Sequence, residues 1–284
     1  MPKIKITCQE LAQKTLAKVE RTIRSRIEED GLEPPKLIIY ANDTEAGSAY
    51  VRNKVKACAK VGINCEVLPL PSNPFTLVDD YYKATWEWES TPAIIIQQPA
   101  WDLAEYNNYI RENLPRDADA DGLCKNSIIT PATARGIIKW LHLNDLLKDG
   151  KTVCVLGRSG LVGAPVLADL LRNRNMNVIS LNSHTSDEDR HRLCKQADVV
   201  ICAVGKPGFL TKQDIKEDAV VVDVGINKTP EGLRGDVATE VQEIATVTPV
   251  PGGVGPLTVA MLLQNVVDLW EYNGYTNCTI EGDE

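Results

Sequence analysis

The sequence predicts an α/β protein made of two three-layer domains, each a parallel sheet covered by helices. Three observations carry this. Short apolar runs alternate with amphipathic helical stretches along most of the chain. A glycine-rich turn joins one such run to a helix near mid-chain. The 284 residues are enough for two cores of ordinary size.

The elements follow in order. Leu11, Leu16, Val19, Ile23 and Ile27 recur at helical spacing, so residues 9–30 read as an amphipathic helix closed by Pro34-Pro35. Lys36–Tyr40 reads as a strand, Ala46–Val61 as a helix and Cys65–Pro69 as a second strand. Residues 75–88 read as a helix, Ala93–Gln97 as a third strand and 102–113 as a helix. Ligands of parallel sheets collect at the carboxyl ends of the strands. That rule singles out Tyr40–Thr44, Gln97–Trp101 and the loop after Leu114.

Pro131 precedes a linking helix over Ala132–Leu147. Strands follow at Val153–Leu156, Asn177–Leu181, Asp198–Ala203, Ala219–Val224 and Thr246–Val250. Helices are expected at Val166–Leu171 and 187–195. The closing helix, Leu257–Trp270, is apolar on much of its surface, which predicts burial, with a return to the first domain. The expected division is 1–131 plus 257–284 against 132–256.

Gly157-Arg-Ser-Gly160-Leu-Val-Gly163-Ala-Pro165 sits between a buried strand and a helix. Glycine lets the backbone approach an anion, and the first helical N–H groups point at it. The spacing G-x-x-G-x-x-G departs from the usual fingerprint, with Ser159 at the middle glycine's place. The strand–turn–helix context nevertheless predicts a Rossmann-like dinucleotide-binding domain.

Composition narrows the classes. Hydrophobic content of 43% and charged content of 25% are those of a soluble globular protein. A net charge of -8 without a basic run argues against nucleic acid. No stretch approaches ~18 apolar residues, so no membrane span is expected, and the N-terminus lacks a signal-peptide core. The eight cysteines form no C-x-x-C pair, which fits scattered thiols in a reducing cytoplasm. The three histidines (142, 184 and 191) have no zinc spacing, so no metal is expected. Asp117, Asp119 and Asp121 alternate before Gly122 like the start of a calcium loop. No glutamate closes it at the twelfth position.

NAD is usually marked by an acid ending the second strand of such a domain. Here that strand runs into Asn182-Ser183-His184-Thr185, with no carboxylate until Asp187. Arg158 could pair with a 2′-phosphate and Ser183 could donate to it, which favours NADP over NAD. In the first domain, Tyr50 and Lys54 are four residues apart on one helix face. Gln97 ends an isoleucine strand. As residues alone, Tyr50 and Lys54 read as a surface pair, and Gln97 as either an edge residue or a ligand contact.

A resemblance gives these residues roles. Gly157–Pro165, Ala203-Val-Gly-Lys-Pro-Gly208, Asp223-Val-Gly-Ile-Asn227, Gly235-Asp-Val237 and Thr248-Pro-Val-Pro-Gly-Gly-Val-Gly-Pro-Leu-Thr258 resemble the FolD family. That family comprises the bifunctional methylenetetrahydrofolate dehydrogenases/methenyltetrahydrofolate cyclohydrolases. Tyr50-x-x-x-Lys54 matches its tyrosine and lysine, Gln97-Gln98-Pro99 its Q-L-P segment, and Asp121 the second aspartate of its K-D-V-D-G motif.

The resemblance implies oxidation of methylenetetrahydrofolate by a nicotinamide cofactor, then hydrolysis to 10-formyltetrahydrofolate, in a cleft between the domains. Lys54, its pKa lowered, would move protons, Gln97 would orient it, Tyr50 would position the folate and Asp121 would hold the pterin. Pro251, Gly252, Gly253, Val254 and Thr258 would line the substrate site with Tyr50, Lys54 and Asp121. The cofactor would meet Gly157, Arg158, Ser159, Val162, Gly163, Pro165 and Ser183. Beyond them it would meet Ala203, Val204, Gly205, Lys206, Pro207, Gly225, Ile226, Asn227 and Asp236. Tetrahydrofolate derivatives as partners, a homodimer, a cytoplasmic place and a link to purine biosynthesis are further implications.

The sequence departs from the family on the folate side. Ala118 replaces the lysine before D-V-D-G, Leu123-Cys-Lys125 replaces F-H-P, and Pro131-Ala-Thr-Ala134 replaces P-C-T-P. The Gly122–Pro131 interval is shorter by roughly ten residues. Three rivals follow: a monofunctional dehydrogenase, an inactive nucleotide-binding regulator on the same fold, and a shikimate-type dehydrogenase. Retention of Lys54, Gln97 and Asp121 argues against the second, and the Thr248–Thr258 run against the third.

Overall fold

A computed structural model describes residues 2–42, 48–85, 92–98, 100, 104–173 and 175–278. The expected helix start at Ala46, the end of the helix beyond Thr85, residues 102–103 and Pro99 lie outside that set. The chain forms two compact units, Met1–Ala12 with Thr133–Thr258, and Gln13–Ala132 with Val259–Glu284. The first twelve residues therefore group with the glycine-turn unit and not, as expected, with the N-terminal one. Their attachment is specific: Ile6 O accepts from Trp140 Nε1 at 2.8 Å and from Asn144 Nδ2 at 3.0 Å. Asn144 Oδ1 in turn accepts Lys5 N at 2.7 Å.

In the unit of residues 13–132 and 259–278, the described strands are β1 (Lys36–Ala41), β2 (Asn64–Pro69) and β3 (Ala93–Ile96). They pair in parallel in the order β2-β1-β3. Strand β3 is buried at every position, as a strand covered on both faces must be. Leu77, Val78 and Tyr81 of the helix Pro74–Thr85 pack with Ile94, Ile96, Ile110 and Leu114. Ser48 Oγ accepts Val51 N at 3.3 Å and caps the helix Ala49–Val61, which Gly62 ends in a left-handed turn. The closing helix runs Val254–Cys278, longer at both ends than expected, and from Val259 it belongs to this unit.

The other unit holds a parallel sheet in the order β10-β7-β6-β4-β5. Its strands are β4 (Thr152–Leu156), β5 (Asn177–Leu181), β6 (Val199–Cys202), β7 (Val220–Asp223) and β10 (Thr246–Val247). Strand β10 stops short of the expected Val250 because Pro249 and Pro251 cannot donate to a ladder. A two-stranded antiparallel hairpin, β8 (Asn227–Thr229) with β9 (Gly232–Arg234), was not expected. Its strands are half-buried or exposed and lack apolar alternation. The linking helix ends at Leu143 and not Leu147, and Asp145 takes a left-handed φ of 55° just beyond it. Among the described residues no helix is long and apolar enough to cross a membrane.

Candidate functional site

Two clusters of side chains stand out, one in each unit. The first gathers at the ends of β1 and β3. The helix Ala49–Val61 carries Tyr50 and Lys54 one turn apart, both half-buried. Lys54 Nζ donates to Gln97 Oε1 at 3.0 Å, and Gln97 Nε2 donates to Gln98 O at 2.9 Å. The amide is thereby held with its oxygen toward the amine. Gln97 N bonds Tyr40 O at 2.8 Å, which continues the ladder and fixes the residue at the strand end.

Asp121 lies within electrostatic reach of Lys54. Burial pushes its carboxyl above the usual carboxylate range, the Lys54 ammonium pulls it down, and Asp119 pushes it up again. The last two of the three alternating aspartates thus have unlike roles. Asp119 is 2% exposed; its Oδ1 accepts Gly122 N at 3.0 Å and its Oδ2 accepts Cys124 N at 2.8 Å. It closes the turn that presents Asp121.

The shortened interval folds back directly. A Cβ at Gly122, whose φ is +70°, would lie 2.7 Å from Pro131 N. Asn265 seals the loop from the closing helix, donating to Ala120 O at 2.9 Å and Thr130 O at 3.1 Å. The sequence does carry a signal for Asn265, a buried amide in an otherwise apolar helical run. Ala118, where the family has lysine, is fully buried.

The second cluster surrounds the glycine turn. Strands β5 and β6 flank β4 on opposite sides, so the chain reverses direction across the sheet at β4/β6, the position where such sheets hold ligands. A cavity of about 440 Å³ opens there. Of the expected cofactor residues, Gly157, Ser159, Ser183, Ala203, Val204 and Lys206 line it. Gly157 has a φ of +86°, and a Cβ there would stand 2.1 Å from Ala203 O; one at Gly163 would stand 2.2 Å from Gly157 O. The helix after the turn starts at Gly163, earlier than the expected Val166, with Pro165 in its first turn where no N–H is needed.

Other expected residues lie elsewhere. Arg158, Gly205, Pro207 and Ile226 are exposed, Val162, Pro165 and Asn227 are half-buried, and none of the seven lines the cavity. Asp236 is fully buried behind the wall. Its Oδ2 accepts Val204 N at 2.7 Å and Gly205 N at 2.8 Å, and its Oδ1 accepts Asn227 Nδ2 at 2.9 Å. Its position shapes the loop and does not offer it to a ligand. Asp223 works behind it, accepting Asp236 N at 2.8 Å and Val237 N at 3.0 Å. Burial raises its pKa against three backbone hydrogen bonds that lower it. Gly225 packs directly on Asp236, where a Cβ would come within 2.2 Å of Oδ1.

The run Pro251–Thr258 begins the closing helix at Val254. Gly252 has a φ of +102°, and a Cβ at Gly253 would lie 2.4 Å from Pro249 O. Thr258 Oγ1 is hydrogen bonded to Val254 O at 3.0 Å and Thr133 Oγ1 at 3.2 Å.

Residues 6–121 match the family model described as tetrahydrofolate dehydrogenase/cyclohydrolase, catalytic domain, and residues 131–274 match its NAD(P)-binding domain. The chain is 36% identical over 283 residues to the bifunctional protein FolD of Moorella thermoacetica, covering 94% of this chain and 99% of that one. The Campylobacter jejuni bifunctional enzyme FolD superposes with a TM-score of 0.84 at 30% identity, over 94% of this chain and 98% of that one. The Trypanosoma brucei dehydrogenase-cyclohydrolase, complexed with NADP cofactor and inhibitor, superposes with a TM-score of 0.81 at 28% identity. It covers 94% of this chain and 97% of that one.

Proposed function

Because the chain belongs to the tetrahydrofolate dehydrogenase/cyclohydrolase family, we propose that it oxidises 5,10-methylenetetrahydrofolate with NADP and hydrolyses the methenyl product to 10-formyltetrahydrofolate. It is an enzyme of one-carbon metabolism, both oxidoreductase and hydrolase. The observation that carries the hydrolytic half is the 3.0 Å bond from Lys54 to Gln97, with Asp121 in electrostatic reach.

The nicotinamide, when bound, supplies the hydride acceptor. The glycine cradle fits such a ligand, since any side chain at Gly157 or Gly163 would collide with backbone. Gly157, Ser159, Ser183 and Lys206 would hold it. Three things support NADP over NAD: no acid ends β5, Ser183 faces the cavity, and the Trypanosoma brucei relative carries NADP. Initial rates with each cofactor test this; faster turnover with NAD at equal concentration would refute the choice.

In hydrolysis, one N–H of the Lys54 amine stays on Gln97 Oε1, which aims the lone pair. Lys54 then takes a proton from the attacking water, whose oxygen bonds to the methenyl carbon. Lys54 passes that proton to N5 as the N5–carbon bond breaks, and the second water proton leaves the oxygen for solvent as the formyl carbonyl forms. Tyr50, one turn away, positions the folate. Asp121 accepts paired N–H groups of the pterin.

That role conflicts with stability. A carboxyl whose folded pKa is raised loses stability as pH rises from its unfolded value, about 4, through the folded one. Asp121→Asn is therefore expected to be more stable than wild type at pH 7 and to lose that advantage below about pH 4. Its affinity for a folate analogue should collapse. Thermal melts across pH with a parallel binding titration check both; an Asn variant that binds normally would remove Asp121 from the site.

A cytoplasmic place, a supply of 10-formyltetrahydrofolate to purine biosynthesis and a homodimer belong to the same reading. Cys8, Cys58, Cys65, Cys124, Cys154, Cys194 and Cys202 are free thiols, which supports the first. Sedimentation equilibrium tests the last.

A further inference from the structure

Two charged residues that the glycine-turn signature does not include stand in the wall of the dinucleotide cavity. They are Asp187 and Arg190, from the helix Asp187–Cys194 that follows β5. Arg190 is 11% exposed and held on three sides. Its Nε donates to the fully buried Asp214 Oδ1 at 2.9 Å, its Nη1 pairs with Asp187 Oδ1, and its guanidinium lies 4.6 Å from the centre of the Phe209 ring. Asp214 is itself fixed by Thr211 N at 2.8 Å and by His191 Nδ1 at 2.6 Å. Arg190 Nη2 has no partner among the described residues. By contrast the Asp187 side chain is 80% exposed and free to leave.

We propose that Arg190 is the guanidinium that recognises a 2′-phosphate, and that Asp187 competes with that phosphate for it, so the pair sets the NADP-to-NAD preference. The inference rests on the dinucleotide reading of this cavity. In such sheets the ribose 2′ position lies beyond the end of the second strand, which is β5 here. Ser183, Asp187 and Arg190 all follow that strand and line the same cavity. Lys206, the other cation of the wall, follows β6 on the far side of β4. Arg158 is exposed and outside the wall. A guanidinium braced by Asp214 and Phe209 keeps its orientation when Asp187 swings away, and a phosphate dianion is the stronger acceptor for the vacated N–H. With NAD the exchange does not occur, and Asp187 stays on Arg190 or accepts the 2′-hydroxyl.

Calorimetric titration of the full chain with NADP, NAD and adenosine 2′,5′-bisphosphate tests this without turnover. Removing an exposed competing carboxylate is expected to tighten NADP and the bisphosphate by about two- to fivefold in Asp187→Asn, leaving NAD unchanged or weaker. Arg190→Lys keeps the charge beside Asp214 but loses the planar fork. It is expected to weaken NADP roughly tenfold more than NAD, with an unchanged melting temperature showing an intact fold. Normal binding of both dinucleotides with an unmoved NADP-to-NAD ratio in Asp187→Asn would overturn the inference alone. Equal losses in Arg190→Lys would do the same. A wild-type chain that bound neither dinucleotide would overturn the reading on which the inference rests.

Discussion

Lys54→Ala is expected to slow hydrolysis of methenyltetrahydrofolate by about 10²–10⁴-fold, the range removed with a positioned proton-transfer group. Dinucleotide binding should be unaltered. Lys54 sits in the unit of residues 13–132 and 259–284, whereas the glycine cradle and its cavity are built from residues 156–209. Lys54 is half-buried and, among the described residues, its hydrogen bond goes to Gln97, so the substitution should cost little stability. Gln97→Ala gives a graded control. It leaves the amine in place but lets it rotate, so the loss should be smaller than for Lys54→Ala and fall on kcat more than on KM. Hydrolysis by Lys54→Ala at the wild-type rate would remove the amine from the mechanism.

Asp236→Ala is expected to be the most damaging change behind the nucleotide cavity, although Asp236 is fully buried. Its carboxylate receives Val204 N, Gly205 N and Asn227 Nδ2. Bonds to a charged acceptor are worth roughly 1.5–3 kcal/mol each, and buried donors left without a partner cost a comparable amount. The three do not add fully, because Gly205 is exposed and water can reach it; a loss of about 3–5 kcal/mol is expected. The Val204–Gly205 turn should loosen, with Val204 in the cavity wall, so dinucleotide affinity should fall by about tenfold or more. Asp236→Asn retains one acceptor oxygen and should lose less on both counts. Denaturant unfolding with parallel cofactor titration measures the pair. An alanine variant as stable and as tight-binding as wild type would show that the turn holds itself.

How much of this was legible in the sequence depended on the kind of force involved. Strand β3 and the central strands of the larger sheet are short apolar runs buried throughout, and such runs announce themselves by composition. The glycine turn was legible because backbone collisions leave no other residue possible at 157 and 163. Lys54 and Gln97 were legible as types at strand and helix ends, but not as partners, since 43 residues separate them. Their pairing depends on β1 and β3 lying side by side.

What the sequence does not reveal is polar and tertiary. The β8–β9 hairpin has no buried position, so no hydrophobic period marks it. Asp119 and Asp121 look equivalent in the chain, and only the backbone N–H groups of Gly122 and Cys124 make one of them structural. Asp236 sits in a recognisable motif, but its burial, and hence its work on the loop, follows from packing. Arg190 lies in a helix of low amphipathic character among many charges. Nothing in sequence separates it from Arg192, which is exposed and pairs with Asp189 at 2.8 Å. The grouping of residues 2–12 with the glycine-turn unit is not legible either, since it rests on hydrogen bonds to Ile6 O from Trp140 and Asn144, more than a hundred residues away.

The most direct measurement of the central claim is a single time course. Wild-type chain is given methylenetetrahydrofolate and NADP at neutral pH, and NADPH, methenyl- and 10-formyltetrahydrofolate are quantified together against a protein-free control for spontaneous hydrolysis. Two reactions on one chain predict that NADPH and 10-formyltetrahydrofolate rise in equal amounts, with methenyltetrahydrofolate staying low. NADPH matched instead by accumulating methenyltetrahydrofolate, opening no faster than in the control, would contradict it.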